Sequence, residues 1–132
     1  MKKTLSVVLI GLSLSGTAAF AGLQLVSKVS TIDAKNTTVQ CTVNGHQGSK
    51  IPAIFNQNVG WSFVKLVFLQ GQTKGNCVFT YTPTNTTIGS GEIDISSDLK
   101  TATVANVTSG SDYTVSVSGS GTENVNITLA GK

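Results

Sequence analysis

The sequence predicts an all-β protein: a single-domain antiparallel β-sandwich, immunoglobulin-like or similar, with one disulfide. Three observations support this class. Short segments that alternate apolar and polar residues recur between clusters of Gly, Asn and Ser. No window shows the sustained three-and-four apolar spacing of an amphipathic helix. Two cysteines, Cys41 and Cys77, are the whole cysteine content of the chain, which suits a single structural cystine.

The first 21 residues predict a secretory signal peptide. Lys2 and Lys3 form a positive start, an apolar run follows at 5–14, and small residues lead to an Ala19-Phe-Ala21 exit. The run is shorter than the roughly 20 apolar residues of a membrane span. We therefore expect cleavage after Ala21, a mature domain at 22–132 without a membrane span, and a secreted or periplasmic location. The Met-Lys-Lys start looks bacterial.

The charge of the predicted mature chain excludes some partners. It has seven Lys, six Asp plus Glu and no Arg, a net charge of +1. Nucleic-acid binding domains carry dense Lys/Arg patches, and these scattered lysines do not form one. The same sparse charge argues against a basic helix on a membrane surface. About 110 residues is the size of one ordinary domain.

The first half of the mature chain predicts four strands, at 23–29, 37–43, 51–55 and 61–69. Asn44 and Gly45 form a turn after the second, since both tolerate positive φ. Pro52 makes the third an edge strand or an irregular crossing, because proline donates no ladder hydrogen bond. The fourth has apolar residues on both faces. This pattern indicates a strand covered on both sides, or one whose second face meets a partner.

The second half predicts five shorter strands, at 76–82, 92–95, 101–107, 113–117 and 124–129. Cys77, Phe79 and Tyr81 face inward on the first of them. Turns are expected at 89–91, 97–98, 109–111 and 119–121, where Gly, Ser and Asp cluster. From Ile88 onward the pattern indicates an up-and-down set of half-exposed strands. The domain should then contain about seven to nine strands.

Cys41 and Cys77 should pair in a secreted protein, because neither has another possible partner. Both occupy inward strand positions, so the bridge either crosses the core or joins neighbouring strands. Closing a loop of this length is worth about 3–4 kcal/mol. The pair lacks the C-x-x-C spacing of redox sites, which favours a structural role.

The sequence argues against an enzyme. His46 is the only histidine, it lies on a Gly-flanked turn, and no G-x-S-x-G pattern is present. A catalytic exception would use His46 with a Ser and an Asp. We expect no cofactor and no zinc site, since oxidised cysteines and one histidine cannot supply the ligands. Asp94 and Asp98, with the oxygens of Ser96 and Ser97, could approximate a calcium site.

The cysteine pair resembles that of chaperone–usher pilins, which are secreted β-sandwiches with two cysteines a few tens of residues apart near the mature N-terminus. Pilins end in an alternating strand with a Tyr close to the terminus, whereas this chain ends Asn126-Ile-Thr-Leu-Ala-Gly-Lys132. The resemblance covers the cysteines only, so no family is assigned. Size, export and cystine are also shared with small periplasmic lysozyme inhibitors.

These observations favour a non-catalytic binding or interaction domain whose target, a protein or a glycan, is unknown. Trp61, Tyr81 and Tyr113 are the candidate binding aromatics, because Trp and Tyr combine apolar area with a polar group. Alternatively, Trp61 and Tyr81 pack in the core near the cystine. A second hypothesis is a structural subunit that assembles through strand edges, and a third is a small periplasmic enzyme inhibitor. The oligomeric state is left open.

Overall fold

The chain is mostly β, as predicted. The computed structural model describes residues 21–68 and 72–132, so the predicted signal peptide lies outside the described residues apart from Ala21. The described residues form ten strands and one short helix: β1 (Gly22–Ser27), β2 (Thr37–Val43), β3 (His46–Gln47), β4 (Ile51–Pro52), β5 (Asn58–Gly60), α1 (Trp61–Val67), β6 (Lys74–Tyr81), β7 (Thr86–Ile95), β8 (Ala102–Ser109), β9 (Tyr113–Ser118) and β10 (Asn124–Gly131). In those same ranges, no helix combines the length and apolar character needed to cross a membrane.

The strands form two sheets. The first has the order β5-β1-β10-β9, and the second has the order β3-β2-β6-β7-β8, with β4 also paired to β2. Most neighbours are antiparallel, but β1 and β10 are parallel, with Gly22 opposite Asn124. This corrects the expectation of purely antiparallel pairing. A parallel pair requires a long connection, and here nearly the whole described chain lies between the two strands, so no local pattern marks their pairing.

A cluster of buried apolar side chains draws on both sheets. On β2 the expected alternation holds: Cys41 and Val43 are buried, and Val39 is half-buried and packs against the cluster. Cys41 and Cys77 lie directly opposite each other on β2 and β6 and form a disulfide. Of the two arrangements expected for the bridge, the one that joins neighbouring strands is therefore correct.

The predicted central strand at 61–69 is wrong, because residues Trp61–Val67 form helix α1. Burial falls on Trp61, Val64 and Phe68, which is a helical spacing rather than an alternating one. An apolar run of this length fits either element, and periodicity cannot distinguish a buried strand from a buried helix when both faces are apolar. Contacts with the rest of the fold decide the outcome.

The predicted turn at 89–91 is also wrong, since Gly89 and Gly91 lie within β7. A Cβ atom at Gly89 would contact Val115 Cγ2 and lie 2.6 Å from Thr108 O. Glycine here allows close packing between the sheets and does not mark a chain reversal. The second half is consequently not one up-and-down set, because β7 pairs with β8 in one sheet and β9 with β10 in the other.

Two other predicted turns are confirmed. Asn44 and Gly45 have φ values of 51° and 81°, as a tight hairpin turn between β2 and β3 requires. Gly119 and Gly121 also have positive φ, at 78° and 87°, in the connection between β9 and β10. The described residues form ten strands, above the seven to nine expected, because the short strands β3 and β5 lie in segments for which no strand was predicted.

Candidate functional site

Helix α1 is apolar on both its inner and its outer face. Trp61 and Val64 are buried, and Phe68 directly after the helix is buried with them. On the opposite face, Phe63 is 49 % exposed and Leu66 is 79 % exposed. A surface helix normally turns charged or polar residues to solvent, and a helix that is hydrophobic all round is normally covered. Two large apolar side chains, Phe63 and Leu66, are therefore exposed on the outer face of α1, beside the polar Ser62 and Lys65.

Trp61 fixes α1 to the first sheet. Its side chain is 1 % exposed, and its indole N–H donates a 3.0 Å hydrogen bond to the backbone oxygen of Glu123, at the start of β10. The helix follows directly from β5, whose residues pair with β1. The inner face of α1 thus packs across the β5 edge of the first sheet, while its outer residues stay in solvent.

The three predicted binding aromatics do not meet at one surface. Trp61 lies beside β5, at one edge of the first sheet, and Tyr113 begins β9, at the other edge. Tyr81 ends β6 in the second sheet, opposite Thr37. Tyr81 and Tyr113 are half-buried and pack against the core. The structure therefore places Trp61 inside the protein and keeps the two tyrosines apart from it.

An apolar pocket lies beneath α1, between the two sheets. Its cavity volume is about 70 Å³, and both sheets and the helix contribute walls. The disulfide between Cys41 and Cys77 lies along this pocket, and both cysteines are among its lining residues. The lining side chains are apolar: Leu23, Leu25, Val39, Cys41, Ile51, Pro52, Ala53, Ile54, Val59, Phe63, Val64, Val67, Phe68, Cys77, Phe79 and Ile93.

Exposed hydrophobic side chains surround this pocket. Ile54 and Phe63 line it and are 36 % and 49 % exposed. Leu66 is one helical turn after Phe63, so the two are neighbours on the outer face of α1. We call Ile54, Phe63 and Leu66 the apolar patch. Sequence reasoning did not select these residues, although the two-faced apolarity of 61–69 was the signal that could have done so.

The sequence segment that contains the apolar patch carries positive charges and no negative ones. Lys65 lies on α1 itself, and Lys50 precedes Ile51, which lines the pocket. From residue 34 to residue 91 the sequence contains four lysines and no Asp or Glu. Gly48 approaches the end of α1, where an added Cβ would lie 3.7 Å from Val67 O. The segment that carries Lys50 therefore runs beside the helix.

The other side of the molecule, where β8 faces β9, is closed by hydrogen bonds. Ser120 Oγ accepts from Val104 N at 2.8 Å and lies 3.3 Å from Val104 O, to which it can donate. Gly121 N donates to Ala102 O at 2.7 Å, and Val115 N donates to Ser109 Oγ at 2.9 Å. The cavity between these strands is only about 10 Å³. This side leaves no space for a ligand side chain.

Three of the strand edges are interrupted, whereas β9, the other edge of the first sheet, is a regular strand of six residues whose Val115 N donates to Ser109 Oγ. Pro52 lies in β4, and β5 is three residues long. In β8 the register shifts opposite Gly91, where Asn106 has a φ of 53° and an extra residue bulges. Bulges, proline and short strands are the common means by which proteins block the addition of another strand at an edge.

The polar candidates are separated from the pocket. His46 is exposed in β3 and pairs with Val43. Asp98 Oδ1 accepts hydrogen bonds from Ser96 Oγ at 2.6 Å and from Lys100 N at 3.1 Å, and these bonds lower the pKa of Asp98. Within residues 21–68 and 72–132, no three His, Cys, Asp or Glu side chains group closely enough to hold a metal ion. The calcium hypothesis at Asp94 and Asp98 stays a prediction.

Comparison with known proteins does not assign this chain to a family. No protein-family model matches it, and a search of curated proteins finds no significant match. The functional argument therefore depends on the apolar patch and the pocket beneath it.

Proposed function

We propose that this protein is a non-catalytic interaction domain with an immunoglobulin-like sandwich fold, and that it binds a protein partner through the apolar patch. One aliphatic side chain of the partner would enter the pocket beneath α1. The observation that carries this proposal is the apolar pocket whose rim, at Ile54 and Phe63, is exposed hydrophobic surface. Protein interfaces are typically centred on such a pocket filled by an anchor side chain.

The size of the pocket favours a protein partner over a small molecule. Pockets for drug-sized ligands measure roughly 300–1,000 Å³. A cavity of about 150 Å³ accommodates benzene, and this one measures about 70 Å³. The space suits the end of one aliphatic side chain. A glycan carries hydroxyl groups that need hydrogen-bonding partners, and the side chains that line the pocket are apolar.

Two other hypotheses are less well supported. A subunit that assembles through strand edges needs an open edge. Proline, short length and a bulge interrupt β4, β5 and β8, which leaves the six residues of β9 as the regular edge. An enzyme inhibitor is a special case of the proposed domain, in which the partner is an enzyme. A secreted or periplasmic location suits the disulfide, which forms in oxidising compartments.

Titration with short peptides tests the proposed binding mode. The probe is the blocked pentapeptide Ala-Asp-Leu-Asp-Ala, and the measurement is the change in amide chemical shifts by NMR. Burial of one leucine yields roughly 1.5–3 kcal/mol, and a Kd of 1 mM corresponds to about 4.1 kcal/mol. We therefore expect binding weaker than 1 mM, with a Kd on the order of 10 mM, and shift changes concentrated at the pocket and on α1.

Matched probes and variants define the controls. The peptide Ala-Asp-Ala-Asp-Ala lacks the anchor, so it should bind much more weakly. Leu66→Ser should weaken binding of the leucine peptide, whereas Val107→Ser, at an exposed valine on the opposite side, should not. Equal shifts with both peptides, or shifts spread over the surface with no focus at the pocket, would contradict the proposal.

A further inference from the structure

Four lysines and no carboxylate lie between residues 34 and 91, the segment that contains the whole apolar patch. Lys35 lies in the loop before β2, and Lys74 begins β6, where its Nζ atom is 3.6 Å from Glu92 Oε2. The other two, Lys50 and Lys65, belong to the stretches of chain that build the patch. The positions of these two lysines decide which charge a bound partner meets.

Lys65 lies on the flank of α1 that faces away from the pocket. The residues of α1 that line the pocket are Phe63, Val64 and Val67. At 3.6 residues per turn, successive residues are about 100° apart around the helix axis, so Lys65 lies about 160° from Phe63. Leu66 falls between them, about 60° from Phe63. A path across the outer face of α1 from the pocket therefore leads from Phe63 over Leu66 to Lys65.

Lys50 lies on the pocket side of α1. It is exposed and directly precedes Ile51, which lines the pocket from β4. Two residues earlier, Gly48 approaches the last residue of α1, because an added Cβ would lie 3.7 Å from Val67 O. The segment 48–51 therefore runs along the pocket side of the helix. The two lysines thus stand on opposite sides of the apolar patch.

The ammonium groups of Lys50 and Lys65 are free of carboxylates in the part of the chain that the structure describes. The one ion pair among those residues joins Lys74 to Glu92. Glu123 reaches α1 through its backbone oxygen, which accepts the indole hydrogen bond at the first residue of the helix, one turn before Lys65. The carboxylate of Glu123 forms no ion pair with that lysine. Both positive charges are therefore available to a partner.

We propose that the partner of the apolar patch is an acidic segment of polypeptide, in which the aliphatic anchor is flanked on both sides by Asp or Glu. The inference rests on the proposed function and states the chemistry of its partner. A partner that covers the patch also approaches Lys50 and Lys65, and a charge that loses water without gaining a counter-charge weakens binding. Carboxylates on both flanks of the anchor would each meet one lysine, which favours association.

An anionic lipid surface would also suit exposed apolar side chains and lysines, but the pocket favours a polypeptide. Its volume of about 70 Å³ suits the end of one aliphatic side chain, and its walls come from both sheets and from α1. A helix that lies in a membrane surface presents a long apolar face, whereas α1 has seven residues, of which Phe63 and Leu66 are the exposed large hydrophobics. Anionic vesicles therefore serve as the competing probe.

Three blocked pentapeptides with the same anchor test the charge of the partner. Ala-Asp-Leu-Asp-Ala is acidic, Ala-Ser-Leu-Ser-Ala is neutral and Ala-Lys-Leu-Lys-Ala is basic. The measurement is the initial slope of the amide shift change against peptide concentration, with ionic strength held equal at about 50 mM. The acidic peptide should bind about two- to tenfold more tightly than the neutral one, and the basic peptide should bind most weakly. At about 300 mM NaCl, the preference for the acidic peptide should fall below about twofold.

Charge reversal on the protein gives the decisive comparison. The double variant Lys50→Glu with Lys65→Glu should reverse the order, so that the basic peptide binds more tightly than the acidic one. The matched control, Lys28→Glu with Lys132→Glu, makes the same change in net charge at two exposed lysines. These follow the ends of β1 and β10, whereas β5 and α1 adjoin the beginning of β1. The control should keep the order of the wild type, and circular dichroism checks that both variants are folded.

The outcomes separate this inference from the proposed function. If the three peptides bind the pocket equally, or the basic one binds most tightly, the interaction domain stands and the acidic partner is wrong. If no peptide binds, both proposals are wrong. Binding to phosphatidylglycerol vesicles that is lost in Leu66→Ser overturns the inference, because it indicates that a lipid surface covers the patch. Self-association that Leu66→Ser abolishes, measured by sedimentation velocity, also overturns it, because a second copy is then the occupant.

Discussion

The two sides of this molecule close the space between the sheets in different ways. Where β8 faces β9, hydroxyl groups of Ser109 and Ser120 bind backbone groups of the opposing segment, and the remaining cavity is about 10 Å³. Where β5 faces β4, an apolar helix covers the space and leaves a pocket of about 70 Å³. The β8–β9 side is sealed, because no ligand side chain fits there, whereas the α1 side is covered by a helix and keeps a pocket.

This difference indicates which surface is available to bind a partner. Hydroxyl groups and backbone groups that satisfy each other leave little for a partner to bind. The helix needs only its inner residues, such as Trp61 and Val64, to cover the core. Leu66 on its outer face does not contribute to that role, because it is 79 % exposed, and Phe63 lines the pocket while leaving about half of its surface in solvent. An exposed apolar cluster of this kind typically marks an interaction site.

The largest effect should come from the inner face of α1. Trp61→Ala removes a fully buried ring and its hydrogen bond to Glu123, so we expect the free energy of unfolding to fall by about 3–5 kcal/mol. Leu66→Ala on the same helix should change it by less than about 0.5 kcal/mol. Urea denaturation of both variants measures the difference. A large loss in Leu66→Ala would mean that the outer face is structural.

The sequence predicted strands well where one face is buried and the other is exposed. β2 follows the predicted bounds, and its alternation of Val39, Cys41 and Val43 with polar residues leaves only one fit to the core. The pairing of Cys41 with Cys77 was predictable because the sequence contains no other cysteine. The Asn44-Gly45 turn was predictable because few residues adopt its positive φ.

The prediction failed where local pattern permits two structures. The apolar run at 61–69 fits both a strand and a helix. Which one forms depends on contacts with β1 and Glu123, which lie far away in sequence. Gly89 and Gly91 resemble a turn in sequence, but Gly89 is needed because Val115 of another strand lies close to it. The candidate site arises from these same non-local contacts, which explains why Phe63 and Leu66 were not selected.

A smaller effect should appear on the sealed side. Gly89→Ala places a Cβ against Val115 and 2.6 Å from Thr108 O, so we expect a loss of about 1–3 kcal/mol in unfolding free energy. Gly91→Ala is the matched control two residues away on the same strand. Its Cβ would lie 3.5 Å from Val104 Cγ1, an ordinary contact, and its stability should be unchanged within about 1 kcal/mol.

Both variants are compared by thermal and urea unfolding. If Gly89→Ala is as stable as Gly91→Ala, the β8–β9 side has spare volume and is not sealed in the sense argued above. If Gly89→Ala is the less stable variant, it should still bind the leucine peptide, because the pocket beneath α1 is on the other side of the core.

The smallest effect should appear at the Ser96–Thr101 turn that leads into β8. Hydrogen bonds from Ser96 Oγ and Lys100 N favour the ionised carboxylate and hold the pKa of Asp98 below its usual 3.8. A depressed pKa stabilises the fold above the pKa of the unfolded chain, and this contribution disappears as pH falls through the folded-state pKa. Asp98→Asn should therefore lower the Tm slightly at pH 7.

The difference in Tm between Asp98→Asn and the wild type should shrink as pH falls below about 3.8, the ordinary pKa of an aspartate. Asp112→Asn is a suitable control, since it removes another exposed carboxylate. A Tm difference for Asp98→Asn that stays constant from pH 7 into strong acid would show that the turn depends on side-chain shape, with no role for the charge of Asp98.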